Sequence, residues 1–273
     1  MAADAAALTD THQGSSLVAS GSGGGRDASP SAKAQRHAAL ACVAVACAAA
    51  AVPTLGGELG LMDAWSRPFV ERDPNLSWPE VGPEEVSTGL LLVLALLLPC
   101  VGVFSVHWAL ARASKPVAAA RKDAAALALA LLAACFWTMA VTDTLKLFVG
   151  RQRPYFFAAC NYAGFADGVG SQYLAATQAG APGDLSKCLA PPVQWKPQAL
   201  LSFPSGHASL SACGLGWAAA YAAWAVRACG GRRWWAAGAA AAAAAPMVLT
   251  ALLVAASRTR DGRHHYGTWG TKP

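Results

Sequence analysis

The chain has 273 residues, of which 55% are hydrophobic and only 13% are charged, and its mean hydropathy is +0.35. Soluble domains carry about a quarter charged residues, so this composition excludes an ordinary soluble domain and predicts apolar segments that span a membrane. The formal net charge of +6 is modest and unevenly distributed, which bears on membrane topology and gives no reason to expect nucleic acid as a partner. The eight cysteines show no zinc-type spacing with histidine.

The first 35 residues are rich in alanine, serine and glycine and include the run Gly21-Ser-Gly-Gly-Gly25. Such a segment cannot bury a core, so we predict that residues 1–35 form a disordered N-terminal tail. Its polar part is long and precedes the apolar part, which is not the layout of a cleaved signal peptide.

Five apolar segments follow the tail, and they predict an all-α fold, a polytopic transmembrane helical bundle. The predicted spans are residues 38–52, 86–108, 124–144, 204–226 and 234–256. The first span ends before Pro53, and the last contains Pro246, which neighbouring helices can accommodate. A long polar loop at residues 151–203 connects the third and fourth spans.

The charges of the loops predict the orientation in the membrane. The loops between spans two and three and between spans four and five are basic, whereas the loop at residues 53–85 is net acidic. The positive-inside rule therefore places the basic loops and the N-terminus in the cytosol. The acidic loop, the loop at 151–203 and the residues after Ala256 then face the lumen of the endoplasmic reticulum or the cell exterior. Because Cys160 and Cys188 lie in that oxidising compartment, we predict a disulfide between them.

Three short motifs lie near the ends of apolar segments, all on the same predicted face of the membrane. They are Lys146-x6-Arg153-Pro154, Pro204-Ser205-Gly206-His207 and Ser257-Arg258-x5-His264. The planar fork of arginine binds two phosphate oxygens, and lysine adds a point charge. The predicted helix start after Pro204 offers unpaired N–H groups to an anion, and glycine allows close approach. Each motif alone is ordinary, but their conjunction predicts a phosphate-binding site.

The two histidines of these motifs permit a two-step displacement at phosphorus. One attacks phosphorus and forms a phosphohistidine, while the other protonates the leaving oxygen and then activates water. Positioning and electrostatic stabilisation supply most of the catalysis of phosphoryl transfer. The few carboxylates near the motifs form no obvious metal cluster, so we expect neither a metal nor another cofactor.

In this order the three motifs resemble the signature of the type 2 phosphatidic acid phosphatase (PAP2) superfamily, in particular its integral-membrane lipid phosphate phosphatases. The outer segment from Asp73 to Pro79 also resembles that branch. The resemblance implies a domain at residues 36–268, followed by an irregular tail at 269–273, and an antiparallel bundle of six transmembrane helices with a metal-independent phosphohistidine mechanism. It implies that His264 is the nucleophile, His207 the general acid and Arg258 a third catalytic residue. The implied phosphate-binding residues are Lys146, Arg153, Ser205 and Gly206.

The sequence departs from the family pattern in two places. Thr268 stands where the motif has an aspartate, which would fix the imidazole tautomer of the nucleophile and stabilise its positive charge. Asp261 is close in sequence but could substitute only through a tight reversal of the chain. The chain ends at Pro273, about where the sixth span would begin. We therefore expect a truncated domain with five spans and with His264 on a frayed tail.

The sequence thus predicts metal-independent dephosphorylation of lipid phosphates such as phosphatidate, lysophosphatidate or diacylglycerol pyrophosphate, with activity impaired in this chain. The expected partners are the lipid phosphate substrate and the membrane. Two alternatives stay open at this point. One is a polyprenyl-pyrophosphate phosphatase, and the other is a catalytically inactive membrane protein that binds lipid phosphate.

Overall fold

The computed structural model describes residues 32–58, 62, 64–79, 82–113, 117–168, 170–230 and 235–265. The predicted tails at residues 1–35 and 269–273 lie outside the described residues, except that the first helix already begins at Ala32. Thr268 lies outside them as well. In the described ranges the chain forms helices and connections, with two isolated β-bridges and no strand. The predicted all-α fold class is therefore confirmed for this part of the chain.

The helices follow one another in this order along the chain. Helix α1 (Ala32–Glu58) is followed by α2 (Thr88–Leu92), which passes through a π-helical segment (Val93–Leu97) into α3 (Leu98–Ala113). The longest helix is α4 (Val117–Val149). Three short helices then form α5 (Phe156–Ala159), α6 (Gly170–Ala176) and α7 (Pro192–Ala199). The last two helices are α8 (Gly206–Gly230) and α9 (Trp235–Arg260).

Four helical stretches among the described residues are long and apolar enough to cross a membrane. They are His37–Gly57, Thr88–Ala109, Ala124–Val149 and Ala237–Arg260. The predicted span at 204–226 corresponds to α8, which is not in this set because glycine, serine and aromatic residues lower its hydropathy. Helix α8 packs against α9, α4, α3 and the π-helical segment. A fifth span therefore stays a prediction, although α8 is a central member of the bundle.

The helix ends differ from the predicted spans in ways that position the site. Helix α1 continues through Pro53, helix α4 continues past Thr144, and helix α9 continues past Ala256. As a result, Lys146 lies in the last turn of α4 and Arg258 in the last turn of α9. Hydropathy predicts only the apolar part of a helix, which can lie in lipid. The helical hydrogen bonds of the backbone continue past that part into polar turns, so the helices are longer than the predicted spans.

One close contact fixes α8 against the π-helical segment. A Cβ added to Gly214 would lie 2.0 Å from the carbonyl oxygen of Ala95. Only glycine permits the two backbones to approach this closely. The contact sets the position of α8, whose first turn carries site residues.

The segment at 151–203 is not a simple loop, as the sequence suggested, but a layer with its own core. Buried aromatic side chains form that core together with the chain around Leu76: Phe156, Phe157, Tyr162, Tyr173 and Trp195. The predicted disulfide between Cys160 and Cys188 is confirmed. Buried Glu71 also holds the layer together, since it accepts a hydrogen bond from Tyr162 Oη at 2.8 Å and pairs with Lys187 Nζ at 2.6 Å. We call the two segments at residues 64–79 and 151–203 together the outer layer.

The outer layer is attached to the end of α4 through backbone hydrogen bonds. Trp65 N donates to Leu147 O at 3.1 Å, and Arg67 N donates to Gly150 O at 3.2 Å. Gly150 has a φ of +54°, and a Cβ there would lie 1.2 Å from Trp65 O. Glycine is required at this turn for both its conformation and its lack of a side chain.

Candidate functional site

Lys146 points toward the start of α8. Its Nζ lies 2.6 Å from Asp143 Oδ1, one turn earlier on α4. The second oxygen of Asp143 accepts a hydrogen bond from Thr54 Oγ1 of α1 at 2.6 Å. A Cβ built on Gly206 would lie 3.2 Å from Lys146 Nζ, so the ammonium group lies directly against the first residue of α8.

Ser205 precedes α8 and acts as its N-terminal cap. Its Oγ accepts a hydrogen bond from Ala208 N at 3.4 Å, and its carbonyl oxygen accepts one from Ser209 N at 2.9 Å. The first N–H groups of a helix have no partner within the helix. Those of the first turn of α8 therefore face the same region as the Lys146 ammonium, and together they suit an anion.

Two arginines bring further positive charge to this region. Arg258 is only 2% exposed. Its Nη1 donates a hydrogen bond to Val86 O at 3.1 Å and lies 3.3 Å from Asp261 Oδ2. Arg153, in the connection after α4, donates from Nη1 to Tyr155 Oη at 3.2 Å. Burial is the main reason why the pKa of Arg153 is lowered, and the nearby charges of Arg263 and Arg258 lower it further while Tyr155 opposes them.

A tight turn after α9 returns His264 to the same region. Gly262 adopts a φ of +64° and donates from its N to Thr259 O at 3.1 Å. The backbone N–H groups of Arg263 and His264 both donate to Arg258 O, at 3.2 and 3.1 Å. This is the glycine-containing Schellman arrangement that ends many helices. His264 is buried, so the expectation that it lies on a frayed tail is wrong, because the turn and the outer layer hold it.

The surroundings of His264 fix its protonation. Its Nδ1 donates a hydrogen bond to the carbonyl oxygen of Ser202. Burial lowers its pKa to about 3, the charges of Arg153, Arg258 and Lys146 add to this effect, and the Ser202 bond opposes it. The imidazole is therefore neutral near pH 7. Because Nδ1 faces a carbonyl acceptor, the proton is on Nδ1 and the lone pair is on Nε2.

His207 lies in the first turn of α8. Its ring makes a backbone hydrogen bond to Val86. Its Nε2 is buried and has no hydrogen-bond partner among the described residues. The carboxylate of Glu84 is nearby, with Oε2 at 3.6 Å from this nitrogen. Nε2 is therefore the His207 atom that is available to an incoming ligand.

Several buried polar atoms around the site have no hydrogen-bond partner in the described part of the chain. They are Arg153 Nε, Ser202 Oγ, His207 Nε2, Arg258 Nε and Arg263 Nε. The Glu84 carboxylate lies near two of these atoms, 3.3 Å from Arg263 Nε and 3.6 Å from His207 Nε2, without making a hydrogen bond to either. Buried donors without hydrogen-bond acceptors are unfavourable, so this concentration of donors fits a site that receives an anionic ligand. Within the same ranges, no group of three or more His, Cys, Asp or Glu side chains is arranged to hold a metal.

Sequence reasoning missed four contributors to the site: Asp143, Glu84, Arg263 and the carbonyl of Ser202. Asp143 had a usable signal, because an acid inside an apolar span is costly and marks functional positions. Glu84 lies in the net acidic loop at residues 53–85, where its spacing gives no signal that separates it from the other acids. Ser202 contributes a backbone atom, for which no residue-type signal exists.

Two other neighbours of the motifs have structural roles. Asp261 pairs with Arg258 and accepts a hydrogen bond from Glu85 N at 3.3 Å, and within the described ranges no hydrogen bond or ion pair joins it to His264. It therefore does not take the place of the motif aspartate. His265, next to the predicted nucleophile, donates from Nε2 to Gln152 O at 3.1 Å.

The comparison with known families agrees with this geometry. The PAP2 superfamily model matches residues 125–267, about half of the chain. The match contains every residue that the sequence predicted for the site, and it excludes α1 to α3 and Glu84. No solved structure resembles the chain closely enough to count as a match. Since the motifs, their convergence in space and the family match agree, the chain belongs to the PAP2 superfamily.

Proposed function

We propose that this protein is an integral-membrane lipid phosphate phosphatase that acts through a phosphohistidine on His264. Its substrates would be lipids with a terminal phosphate, such as phosphatidate, lysophosphatidate or diacylglycerol pyrophosphate. Membership in the PAP2 superfamily supports a phosphoric monoester hydrolase, and the four apolar helices support a membrane location. The loop charges favour a site on the luminal or extracellular side, with the N-terminus in the cytosol.

One observation carries the proposal. His264 is buried, neutral and oriented through Nδ1 by Ser202, while Lys146, Arg153 and Arg258 exert their positive charges on it. A neutral imidazole with a free Nε2 lone pair is the form that attacks phosphorus. Surrounding cations stabilise the charge on the equatorial oxygens during transfer.

In the first step, His264 Nε2 would form a bond to phosphorus while the bond from phosphorus to the leaving oxygen breaks. Protonated His207 would donate its Nε2 proton to that oxygen, which leaves as the lipid alcohol. Lys146, Arg153, Arg258 and the N–H groups at the start of α8 would hold the transferred group. The products of this step are the lipid alcohol, the phosphohistidine and a neutral His207.

In the second step, neutral His207 would accept a proton from a water molecule as the water oxygen attacks phosphorus. The bond between phosphorus and His264 Nε2 breaks, and inorganic phosphate leaves. His264 returns to its neutral form and His207 to its protonated form. The cycle consumes one water and needs no other reactant.

The Ser202 carbonyl also bears on the absence of the motif aspartate at Thr268. It selects the Nδ1–H tautomer, which is one of the two tasks of a carboxylate partner. It supplies no full negative charge, so the positive charge that forms on His264 during attack is stabilised less. We therefore expect activity that is reduced but not abolished, and a gain in kcat when Thr268→Asp restores the charge.

The test uses the full chain in detergent micelles containing phosphatidate labelled in its phosphate group, with EDTA present. We expect release of phosphate and an acid-labile phosphoenzyme, both lost in His264→Ala. The neighbouring variant His265→Ala is the matched control and should keep the label, since within the described residues the hydrogen bond of that ring is to a backbone carbonyl. Labelling of His264→Ala equal to that of wild type would disprove the proposed nucleophile.

The first alternative is a polyprenyl-pyrophosphate phosphatase, because the same cationic residues would hold either terminal phosphate. Initial rates on a panel of phosphatidate, lysophosphatidate, diacylglycerol pyrophosphate and a polyprenyl pyrophosphate separate the two. The highest kcat/KM on the polyprenyl substrate would favour the alternative.

The second alternative, a binding protein without turnover, is favoured by Thr268 in the motif position. It predicts that wild type binds phosphatidate or vanadate but forms no phosphoenzyme. Under this alternative, turnover would begin only in the Thr268→Asp variant.

A further inference from the structure

A carboxylate lies among the groups proposed to hold the phosphate and protonate the leaving group. Glu84 Oε1 is 3.2 Å from Arg258 Nη2 and 3.3 Å from Arg263 Nε, while its Oε2 is 3.6 Å from His207 Nε2. The Glu84 side chain is 24% exposed, whereas that of Arg258 is 2% exposed. Glu84 therefore lies on the more exposed side of this cationic region.

The position of Glu84 relative to His207 indicates whether Glu84 lies on the side of the leaving group or on the side of the nucleophile. His207 is bonded to the backbone at Val86, and its unpartnered Nε2 faces the Glu84 carboxylate. If Nε2 protonates the leaving oxygen, that oxygen must come within about 3 Å of Nε2. The leaving group is then the part of the substrate closest to Glu84.

The charge of the leaving group differs between the candidate substrates. Cleavage of a phosphate monoester such as phosphatidate releases a neutral alcohol. Cleavage of the terminal phosphate of a pyrophosphate releases a phosphate monoester that carries at least one negative charge. The transferred phosphate is anionic in both cases, but a carboxylate beside the leaving oxygen also repels the extra negative charge of the second kind of leaving group.

We propose that Glu84 is a specificity-determining residue that selects phosphate monoesters with a neutral alcohol leaving group over pyrophosphates. The inference rests on the proposed function, since it uses His264 as the nucleophile and His207 as the acid. Two unit charges about 4 Å apart near a protein surface interact strongly enough to change a rate by tenfold or more. We therefore expect Glu84→Gln to raise kcat/KM for diacylglycerol pyrophosphate about tenfold relative to phosphatidate.

The experiment measures initial rates of the full chain in detergent micelles on these two lipids, which share the same diacylglycerol portion. Variants are wild type, Glu84→Gln and Glu85→Gln. Glu85 is the matched control, because its carboxylate pairs with Arg260 Nε at 3.0 Å between side chains that are 42% and 79% exposed. Glu85→Gln should keep the wild-type ratio of the two kcat/KM values.

A second variant changes the ratio in the opposite direction and does not require Glu84 to be altered. Arg263→Gln removes one of the two arginines paired with Glu84 and leaves more of its negative charge exposed to the leaving group. We expect its preference for phosphatidate to increase. If Glu84→Gln does not fold, as judged by its melting temperature in detergent, Arg263→Gln alone decides the proposal.

One result would overturn the role of Glu84: a ratio of the two kcat/KM values that Glu84→Gln leaves unchanged, whether both values stay the same, rise equally or fall equally. An equal gain would make Glu84 a general competitor of phosphate, and an equal loss would make it a positioning residue for Arg258. Failure of the proposed function looks different, because wild type would then form no phosphoenzyme on His264, and the Glu84 proposal would fall with it.

Discussion

Replacement of Gly214 by alanine tests how strictly the contact between α8 and the π-helical segment determines the site. The added Cβ would lie 2.0 Å from Ala95 O and 2.7 Å from the Cα and carbonyl carbon of the same residue. All three are backbone atoms, so no side chain can rotate away and the helices must separate by more than about 1 Å. Overpacking of this kind costs about 1–3 kcal/mol.

For a chain of this size, we expect the melting temperature of Gly214→Ala in detergent to fall by roughly 3–10 °C. The displacement should also reach His207, which lies seven residues earlier on α8, about 10 Å along the helix axis. We therefore expect kcat for phosphatidate to decrease more than KM changes.

Gly216 provides the control on the same helix. A Cβ added at Gly216 meets no atom within 4 Å, and alanine is the better helix former by up to about 1 kcal/mol. Gly216→Ala should therefore be neutral or slightly stabilising, with unchanged kcat. Equal melting temperatures for the two variants would refute the argument that backbone contact with Ala95 positions α8.

Three further predictions concern stability, each measured by thermal unfolding in detergent. The pKa of His264 is about 3 in the folded protein, below the ordinary value of about 6.5, so the unfolded chain binds more protons between these pH values. Stability should fall as the pH is lowered from about 6.5, and less so in His264→Gln; identical pH profiles would contradict this. Replacing Cys160 and Cys188, 28 residues apart, with alanine should cost about 2–4 kcal/mol, and reductant should then have no further effect on unfolding. Gly150→Ala should cost at least about 2 kcal/mol through its positive φ and the clash with Trp65 O; a wild-type melting temperature would refute this.

Much of the candidate site was predictable because its charged and histidine residues belong to motifs that are defined by residue type and spacing. Lys146, Arg153, His207, Arg258 and His264 were chosen from motifs, and the structure brings them together. The length and composition of the apolar segments also predicted the all-α bundle, and the location of two cysteines in one loop on the predicted oxidising side predicted their disulfide. The motifs are short sequence patterns, and the helices follow from the apolar composition that a segment needs in order to cross a membrane.

The tertiary structure alone decided which groups complete the site. Whether Glu84 contacts Arg258 or only solvent depends on how the acidic loop packs beside α9, and no spacing within the loop encodes that packing. The Ser202 carbonyl that orients His264 is a backbone atom common to every residue, so its role depends entirely on its position. The sequence by itself determined the cations and histidines, because their chemistry is intrinsic to the side chains. The fold determined the protonation of His264 and the neighbours of Glu84, because burial and distance, not residue type, control electrostatic energy.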